Sequence, residues 1–258
     1  MLTEVTGLVL KSVNLGEADR LITVFTKEMG TVSALVKGAR SIKSKKMSST
    51  LQFCYSTMIL ESRGDKLWVK EANLIESFFG LRNTIEGLSL AGYIVEVLSF
   101  VTVAEAENEL LRLALNCLYA ISEEKASLDK IKSAFEIRSL SAIGFMPEVL
   151  SCADCGEVSG DFFFDIMGGG IQCYACRDKS IKERTDINDE GHRKVVTILS
   201  EGAKIALGYL IHCPIERLFA FNITDEDMCL LSRATEEYIL HQLERSFKSL
   251  EFYKEVKR

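Results

Sequence analysis

Through the first 75 residues, apolar positions recur in short runs rich in β-branched side chains. Each run predicts a strand: 3–14, 20–26, 31–36, 51–61 and 66–71. Within the fourth run Tyr55, Thr57 and Ile59 fall on one face and Cys54, Ser56, Met58 and Leu60 on the other. The breaks carry turn chemistry: Gly16-Glu17-Ala18-Asp19, Lys27 to Gly30, Gly38, and Gly64-Asp65. Five short strands at this spacing fit a five-stranded oligonucleotide-binding (OB) barrel, and a small sandwich or an SH3-like barrel has the same signature. From Asn73 onward the period lengthens toward that of a helix. Leu110, Ala114, Cys117, Leu118 and Ile121 form one stripe. Val195, Leu199, Ala203, Ala206 and Leu210 form a second, and Ile239, Leu243, Phe247 and Leu250 a third. Thr224 followed by Asp225, Glu226 and Asp227 predicts the start of the last helix.

These patterns predict an α+β, multidomain chain. Residues 1–80 are expected to form a small five-stranded barrel, for which the OB fold is one solution, and residues 81–258 a mainly helical domain, with an irregular insertion at about 147–182. The 258 residues are 47% hydrophobic and 26% charged, enough apolar surface for packed cores, which excludes a disordered or fibrous chain. The most apolar stretch, 88–104, is 17 residues long and carries Glu96, so it predicts a buried helix and not a membrane span. Residues 1–11 alternate polar and apolar positions without the apolar core of a signal peptide.

Charge sharpens the division. Residues 1–80 hold 11 Lys/Arg and 8 Asp/Glu, a net of +3, while 81–258 hold 20 and 29, a net of −9. With −6 overall the chain is not one that coats nucleic acid with its whole surface, but a local basic patch is available. That patch is Lys37-Gly38-Ala39-Arg40-Ser41-Ile42-Lys43-Ser44-Lys45-Lys46, with five cations and no acid. A pliable basic loop between two strands of a small barrel suits phosphate contact, although a solvated loop has the same composition. Phe25, Phe53, Tyr55 and Trp68 lie near the sheet, where each either stacks a base or fills the core.

The strongest local motif is Cys152-x2-Cys155-x17-Cys173-x2-Cys176. Two CxxC turns at this separation bring four thiolates to one tetrahedral metal, which predicts one structural zinc per chain. An iron–sulfur cluster, two disulfides or four unlinked thiols would use the same sulfurs, and His192 is a substitute ligand. Such spacing points to an intracellular address. Cys54, Cys117, Cys213 and Cys229 sit in apolar patterns and are expected in the core. A four-thiolate site leaves no open position for substrate, and no P-loop, HExxH, GxSxG or zinc-deaminase signature occurs. The sequence therefore offers no catalytic centre.

In order and spacing, several short elements resemble the bacterial DNA repair protein RecO family. They are Gly16-Glu17-Ala18-Asp19 before a strand ending Phe25-Thr26, then Gly30, Lys37-Gly38-Ala39-Arg40 with Ser44, and Leu51-Gln52-Phe53, where the family's intervening proline is missing. Further on come Phe135-Glu136-Ile137-Arg138, Gly144-Phe145-x-Pro147 with the first CxxC, Gly169-Gly170 before the second, and Lys248-Ser249-Leu250-x-Phe252. The resemblance implies an N-terminal OB domain, a helical domain often bearing zinc, and a cytoplasmic, nucleoid-associated recombination mediator. Such a protein binds single- and double-stranded DNA, anneals complementary strands and, with RecR, loads RecA onto DNA coated by single-strand-binding protein (SSB). It implies contact of the helical domain with the acidic C-terminal tail of SSB, and no reaction cofactor. Carried to this chain, DNA contact falls on Lys37 and Arg40, with Lys43, Lys45 and Lys46 by proximity and Arg20 by its place after the turn. The tail site is expected at Lys130, Lys132 and Arg138, where cations flank an apolar stripe. Two other classes fit the same residues: a zinc-stabilised protein-binding scaffold, and a nucleic-acid enzyme with unrecognised carboxylates.

Overall fold

The computed structural model describes residues 1–41, 44, 46–101, 108–185 and 195–257. They pack as two units, one made of Met1–Glu124 with Phe247–Arg258, the other of Lys125–Ser246.

The first unit opens with five strands: β1 (Leu2–Leu15), β2 (Asp19–Thr26), β3 (Gly30–Val36), β4 (Tyr55–Arg63) and β5 (Lys66–Glu76). They close into a barrel of order β1-β2-β3-β5-β4, with β3 and β5 parallel and the other pairs antiparallel. That order is the OB fold and removes the sandwich and SH3-like alternatives. Strand β1 is long because it serves both neighbours. Its first half pairs with β4, from Leu2↔Glu61 to Leu8↔Tyr55, and its second with β2, as far as Leu15↔Asp19. A register break between Val9 and Lys11 lets it turn the corner. At Gly7 a β-carbon would stand 2.6 Å from the Phe25 carbonyl oxygen, so only glycine permits this approach of β1 to β2. The interior is filled by Val5, Val9, Ile22, Val24, Ala34, Val36, Met58, Leu60, Val69 and Ala72.

The fourth strand starts later than its hydrophobic run suggests. A short helix, α1 (Lys46–Ser49), and a turn occupy the approach, and Phe53 sits at φ 72, outside the extended region. The alternation beyond it holds, with Ser56, Met58 and Leu60 buried and Tyr55, Thr57 and Ile59 half-buried.

Helix α2 (Ile85–Val101) is the apolar stretch, buried along most of its length. Its Glu96 accepts from the backbone N–H of Ser249 at 3.1 Å and from the Ser249 hydroxyl, which accounts for a carboxylate on this helix. Helix α3 (Asn108–Ser122) buries all five residues of its stripe.

The second unit contains α4 (Leu128–Ala142), β6 (Glu148–Cys152), β7 (Phe162–Asp165), β8 (Gly170–Cys173), α5 (Tyr174–Thr185), β9 (Val196–Leu199), α6 (Glu201–His212) and α7 (Asp225–Gln242). The segment expected to be irregular instead holds β6, β7, β8 and the start of α5, and its strands join β9 in a sheet of order β6-β8-β7-β9. Val149, Phe162, Phe164, Ile166 and Ile171 give it a buried face, and Tyr238 of α7 packs its ring 5.1 Å from that of Phe164.

Two stripes read as single helices are each divided. Val195 and Leu199 belong to the β9 segment, because Ser200 starts a new helix by accepting from the Ala203 N–H. Ile239 lies in the last turn of α7, which ends at Gln242, and Glu244 at φ 48 turns the chain before Phe247, which precedes α8 (Lys248–Val256). Thr224 caps α7 as expected, its side chain accepting from the Asp227 N–H at 3.1 Å.

Candidate metal centre and nucleic-acid interface

The four cysteines expected to bind metal converge. Cys152 ends β6, Cys173 ends β8, and Cys176 lies in the first turn of α5, while Cys155 sits on the turn after β6. Their sulfurs all lie within 4.8 Å of one another, and Cys155 and Cys173 are 3.7 Å apart. Four sulfurs at about 2.3 Å from a tetrahedral zinc would be separated by roughly 3.8 Å, so the cluster has the size such an ion requires. The 3.7 Å approach is not a disulfide, and all eight cysteines are free. Burial works against ionisation of Cys152. The backbone N–H groups of Cys173, Cys155 and Asp154 aim at its sulfur and outweigh that effect, pulling its pKa down to about 6. The Cys173 N–H reaches it at 3.4 Å. A sulfur surrounded by N–H donors is prepared to be a thiolate ligand. His192 lies outside the described residues. Of the other cysteines, Cys54, Cys117 and Cys213 are buried as expected, but Cys229 faces outward on α7.

At the barrel, Lys37 and Arg40 are both exposed. The loop that carries them is less pliable than its composition suggests. Gly38, at φ 64, donates its N–H to Asp19 at 2.9 Å. Arg40 donates its N–H to Ala18 O at 3.1 Å and its guanidinium to Gly16 O at 3.0 Å. Ala39 between them is fully buried. The Gly16–Asp19 turn therefore clamps the loop, with the Lys37 and Arg40 side chains left on the outside. Lys46 begins α1 and is half-buried, while Lys43 and Lys45 lie outside the described residues.

Arg20 does a different job from the one expected. It is 7% exposed, and its guanidinium donates to Met47 O at 3.0 Å and to Thr50 Oγ1 at 2.9 Å. Burial and the nearby Arg40 hold its pKa below the usual arginine value. It fastens the segment around α1 to the barrel. Of the four aromatics, Phe25 and Phe53 are core residues, whereas Tyr55 and Trp68 are half-exposed. Lys27 stands 5.8 Å from the Tyr55 ring centroid and Arg63 5.7 Å from that of Trp68. These cation–aromatic pairs had no sequence signal, because each joins residues brought together by strand pairing.

The three cations expected at a tail site are all engaged inside the second unit. Lys132 is 2% exposed and ion-paired to Glu136 at 3.1 Å and Glu236 at 3.0 Å. Lys130 donates to Phe221 O at 2.6 Å and stands 4.7 Å from the Phe221 ring centroid. Arg138 donates to Ile211 O at 2.6 Å, at the carbonyl end of α6. The periodicity located the helix correctly but could not show that its cations point to partners on α6, α7 and the Phe221 segment. No described helix is long and apolar enough to cross a membrane.

A closed OB barrel continued by a mainly helical part with a four-cysteine cluster defines an architectural class. Residues 1–78 match the family described as Recombination protein O N terminal, and residues 82–251 match Recombination protein O C terminal. The DNA repair protein RecO of Acetivibrio thermocellus is 36% identical over 254 residues, covering 98% of this chain and 96% of that protein. That of Alkaliphilus metalliredigens is 30% identical over 262 residues, covering 99% and 100%. The chain belongs to the RecO family, which places it in DNA repair and recombination.

Proposed function

We propose that this chain is a recombination mediator that holds DNA without altering it chemically. On this reading residues 1–80 bind single- and double-stranded DNA, residues 81–258 engage proteins, and the pair of activities anneals complementary strands. With RecR it helps load RecA onto SSB-coated single strands, in the cytoplasm at the nucleoid. The observation that carries the reading is the outward pair Lys37 and Arg40, on a loop clamped to the OB barrel by Gly16, Ala18 and Asp19. Fixed cations neutralise strand charge, which lowers the repulsion between two single strands while their bases stay free to pair.

Lys43, Lys45 and Lys46 extend the same patch in sequence, and half-exposed Tyr55 and Trp68 offer stacking faces on the barrel. Arg20 supports the patch from inside through Met47 and Thr50. The metal at Cys152, Cys155, Cys173 and Cys176 is zinc, and it is structural, because four thiolates close its coordination shell. For the SSB tail, Lys130 and Arg138 are the half-exposed candidates, and Lys132 is excluded by its burial.

The test is strand annealing on SSB-coated complementary oligonucleotides, with the wild type and with a variant in which Lys37, Arg40, Lys43, Lys45 and Lys46 are alanine. Five cations on single-stranded DNA give a log–log salt slope of about −3.5. The variant should lose most of that slope and anneal poorly on every sequence. Unchanged slope and annealing would refute the assignment, and strand cleavage in the presence of magnesium would favour an enzyme instead.

A further inference from the structure

Strand β9 lies at one edge of the sheet in the second unit, with β7 as its neighbour. The pairing runs Phe162↔Leu199, Phe163↔Ile198, Phe164↔Thr197 and Asp165↔Val196, and Ile166 donates its N–H to Val195 O at 2.9 Å. In an antiparallel ladder the bonded pairs alternate. The bonded pairs here are therefore those of Val195, Thr197 and Leu199. The backbone N–H and C=O groups of Val196 and Ile198 point the other way, where no strand is paired among the described residues. The side chains follow the same division. Thr197 and Leu199 are buried, whereas Val196 is half-buried and Ile198 is 45% exposed.

This edge opens onto a groove of about 560 Å³, lined on the β9 side by Val196, Thr197, Ile198 and Ser200. The opposite wall is α7, which presents Glu226, Leu230 and Arg233 at helical spacing, with Asp227 beside them, and Asp161 lies at the entrance. The lining is mixed: Leu230 is apolar on the α7 side, while Val196 and Ile198, of opposite parity to buried Thr197 and Leu199, present the outer face of β9. The lining holds three carboxylates and one guanidinium: Arg233 has a charge partner in Glu237 at 2.8 Å, while Asp227 accepts from the Ser200 hydroxyl at 2.5 Å and Asp161 from the Glu201 N–H at 3.1 Å, neutral donors that leave both acids negative. An exposed edge is ordinarily protected by lysine, proline or a covering element, because free ladder groups recruit another strand. Residues 196–199 contain no lysine or proline.

We propose that the β9 edge is a docking site for an extended segment of a partner protein, which adds to the sheet as a further strand. The segment carries apolar residues at alternate positions, to continue the outer face of Val196 and Ile198, and basic residues at its ends on the other parity, toward the carboxylates Asp161, Glu226 and Asp227 of the lining. Main-chain bonds to Val196 and Ile198 supply affinity, and the acidic rim selects the sign of charge. The site is separate from the cationic barrel loop, so its test is independent of the DNA-binding reading.

The probe is a labelled peptide, acetyl-Lys-Val-Thr-Val-Lys-amide, titrated into the full-length chain without DNA and followed by fluorescence anisotropy and amide NMR shifts. Its counterpart has glutamate for both lysines. The lysine peptide should bind about tenfold more tightly, with shifts centred on Val196, Ile198 and Leu230. Ile198→Pro deletes an outward N–H while leaving the ladder to β7 intact, and should weaken binding about tenfold. Should that variant not fold, Glu226→Lys on the exposed rim serves instead, and should narrow or reverse the preference between the two peptides. The proposal is overturned if neither peptide binds, if both bind equally, if Ile198→Pro folds and binds unchanged, if Glu226→Lys leaves the preference untouched, or if the edge proves to be occupied by a second copy of the chain in solution.

Discussion

Replacing Lys132 by alanine probes the second unit at a buried ion pair. The ammonium is 2% exposed and contacts Glu136 at 3.1 Å, Glu236 at 3.0 Å and the Ser232 carbonyl at 3.2 Å. Burial alone would lower its pKa, but Glu136 and Glu236 outweigh that effect and hold it above the ordinary value. Glu136 is fully buried, and burial raises its carboxyl above the usual range despite Lys132 and the 2.7 Å hydrogen bond from Thr235. Without Lys132 that carboxylate loses its adjacent counter-charge, though it keeps the hydrogen bond from Thr235. Removing one member of a buried pair costs about 3–5 kcal/mol, which at a slope of about 2 kcal/mol per molar urea moves the midpoint by roughly 2 M. The assay is urea unfolding followed by far-UV circular dichroism, while Trp68, the only tryptophan, reports the barrel separately by fluorescence. A carboxyl with a raised folded-state pKa favours the folded state below its unfolded pKa, and that support is lost as pH rises through the folded value. The deficit of Lys132→Ala should therefore be full at alkaline pH and shrink at mildly acidic pH, as Glu136 takes up a proton. Changing Lys132 to Leu together with Glu136 to Met should recover most of the loss. A deficit under 1 kcal/mol, or one equal at both pH values, would refute the account.

Elemental analysis should return one zinc per chain, and chelation should speed amide exchange in β6 through α5 while leaving the barrel unchanged; iron in place of zinc would overturn the metal assignment. Gly169 sits at φ 70 with Tyr238 Oη 2.6 Å from where a β-carbon would lie, so Gly169→Ala should cost about 1–3 kcal/mol. Adding Tyr238→Phe should return only the steric part of that loss. Hydrogen bonds from Ser200 and Thr224 hold the Asp227 carboxyl below the usual aspartate range. Its stabilisation is thus present above the unfolded pKa and is lost as pH falls through the folded one. Asp227→Asn should lower the melting temperature near neutrality and match the wild type in strong acid, and a difference that grows toward acid would contradict this.

Local patterns predicted the barrel well, because each strand's alternation is imposed by its own inside and outside. Tyr55, Thr57 and Ile59 separate from Ser56, Met58 and Leu60 in both the sequence and the fold. The four-cysteine cluster was equally legible, since a CxxC turn is a local structure that carries its own ligand geometry. What failed was continuity. The Val195–Leu210 stripe has a plausible helical period across a boundary that only the Ser200 cap creates, and the Ile239–Leu250 stripe spans a turn at Glu244. Charge orientation was also invisible. Lys132, Arg138 and Arg20 have partners distant in the chain, so nothing in their neighbours could show that they face inward. The sheet around the cysteines was missed because its strands are only four or five residues long.

Helix α8 is built from the last residues of the chain yet belongs with the first unit. The Phe247 ring stands edge-on to Tyr93 at 5.7 Å and to Phe100 at 6.3 Å, and Ser249 holds Glu96. During synthesis the five barrel strands can close early, whereas α2 must wait with one flank uncovered until about 120 intervening residues have emerged. A polypeptide cut anywhere in the second unit would carry its defect at the α2 flank, so quality control could recognise such products by a wound far in sequence from where they were cut.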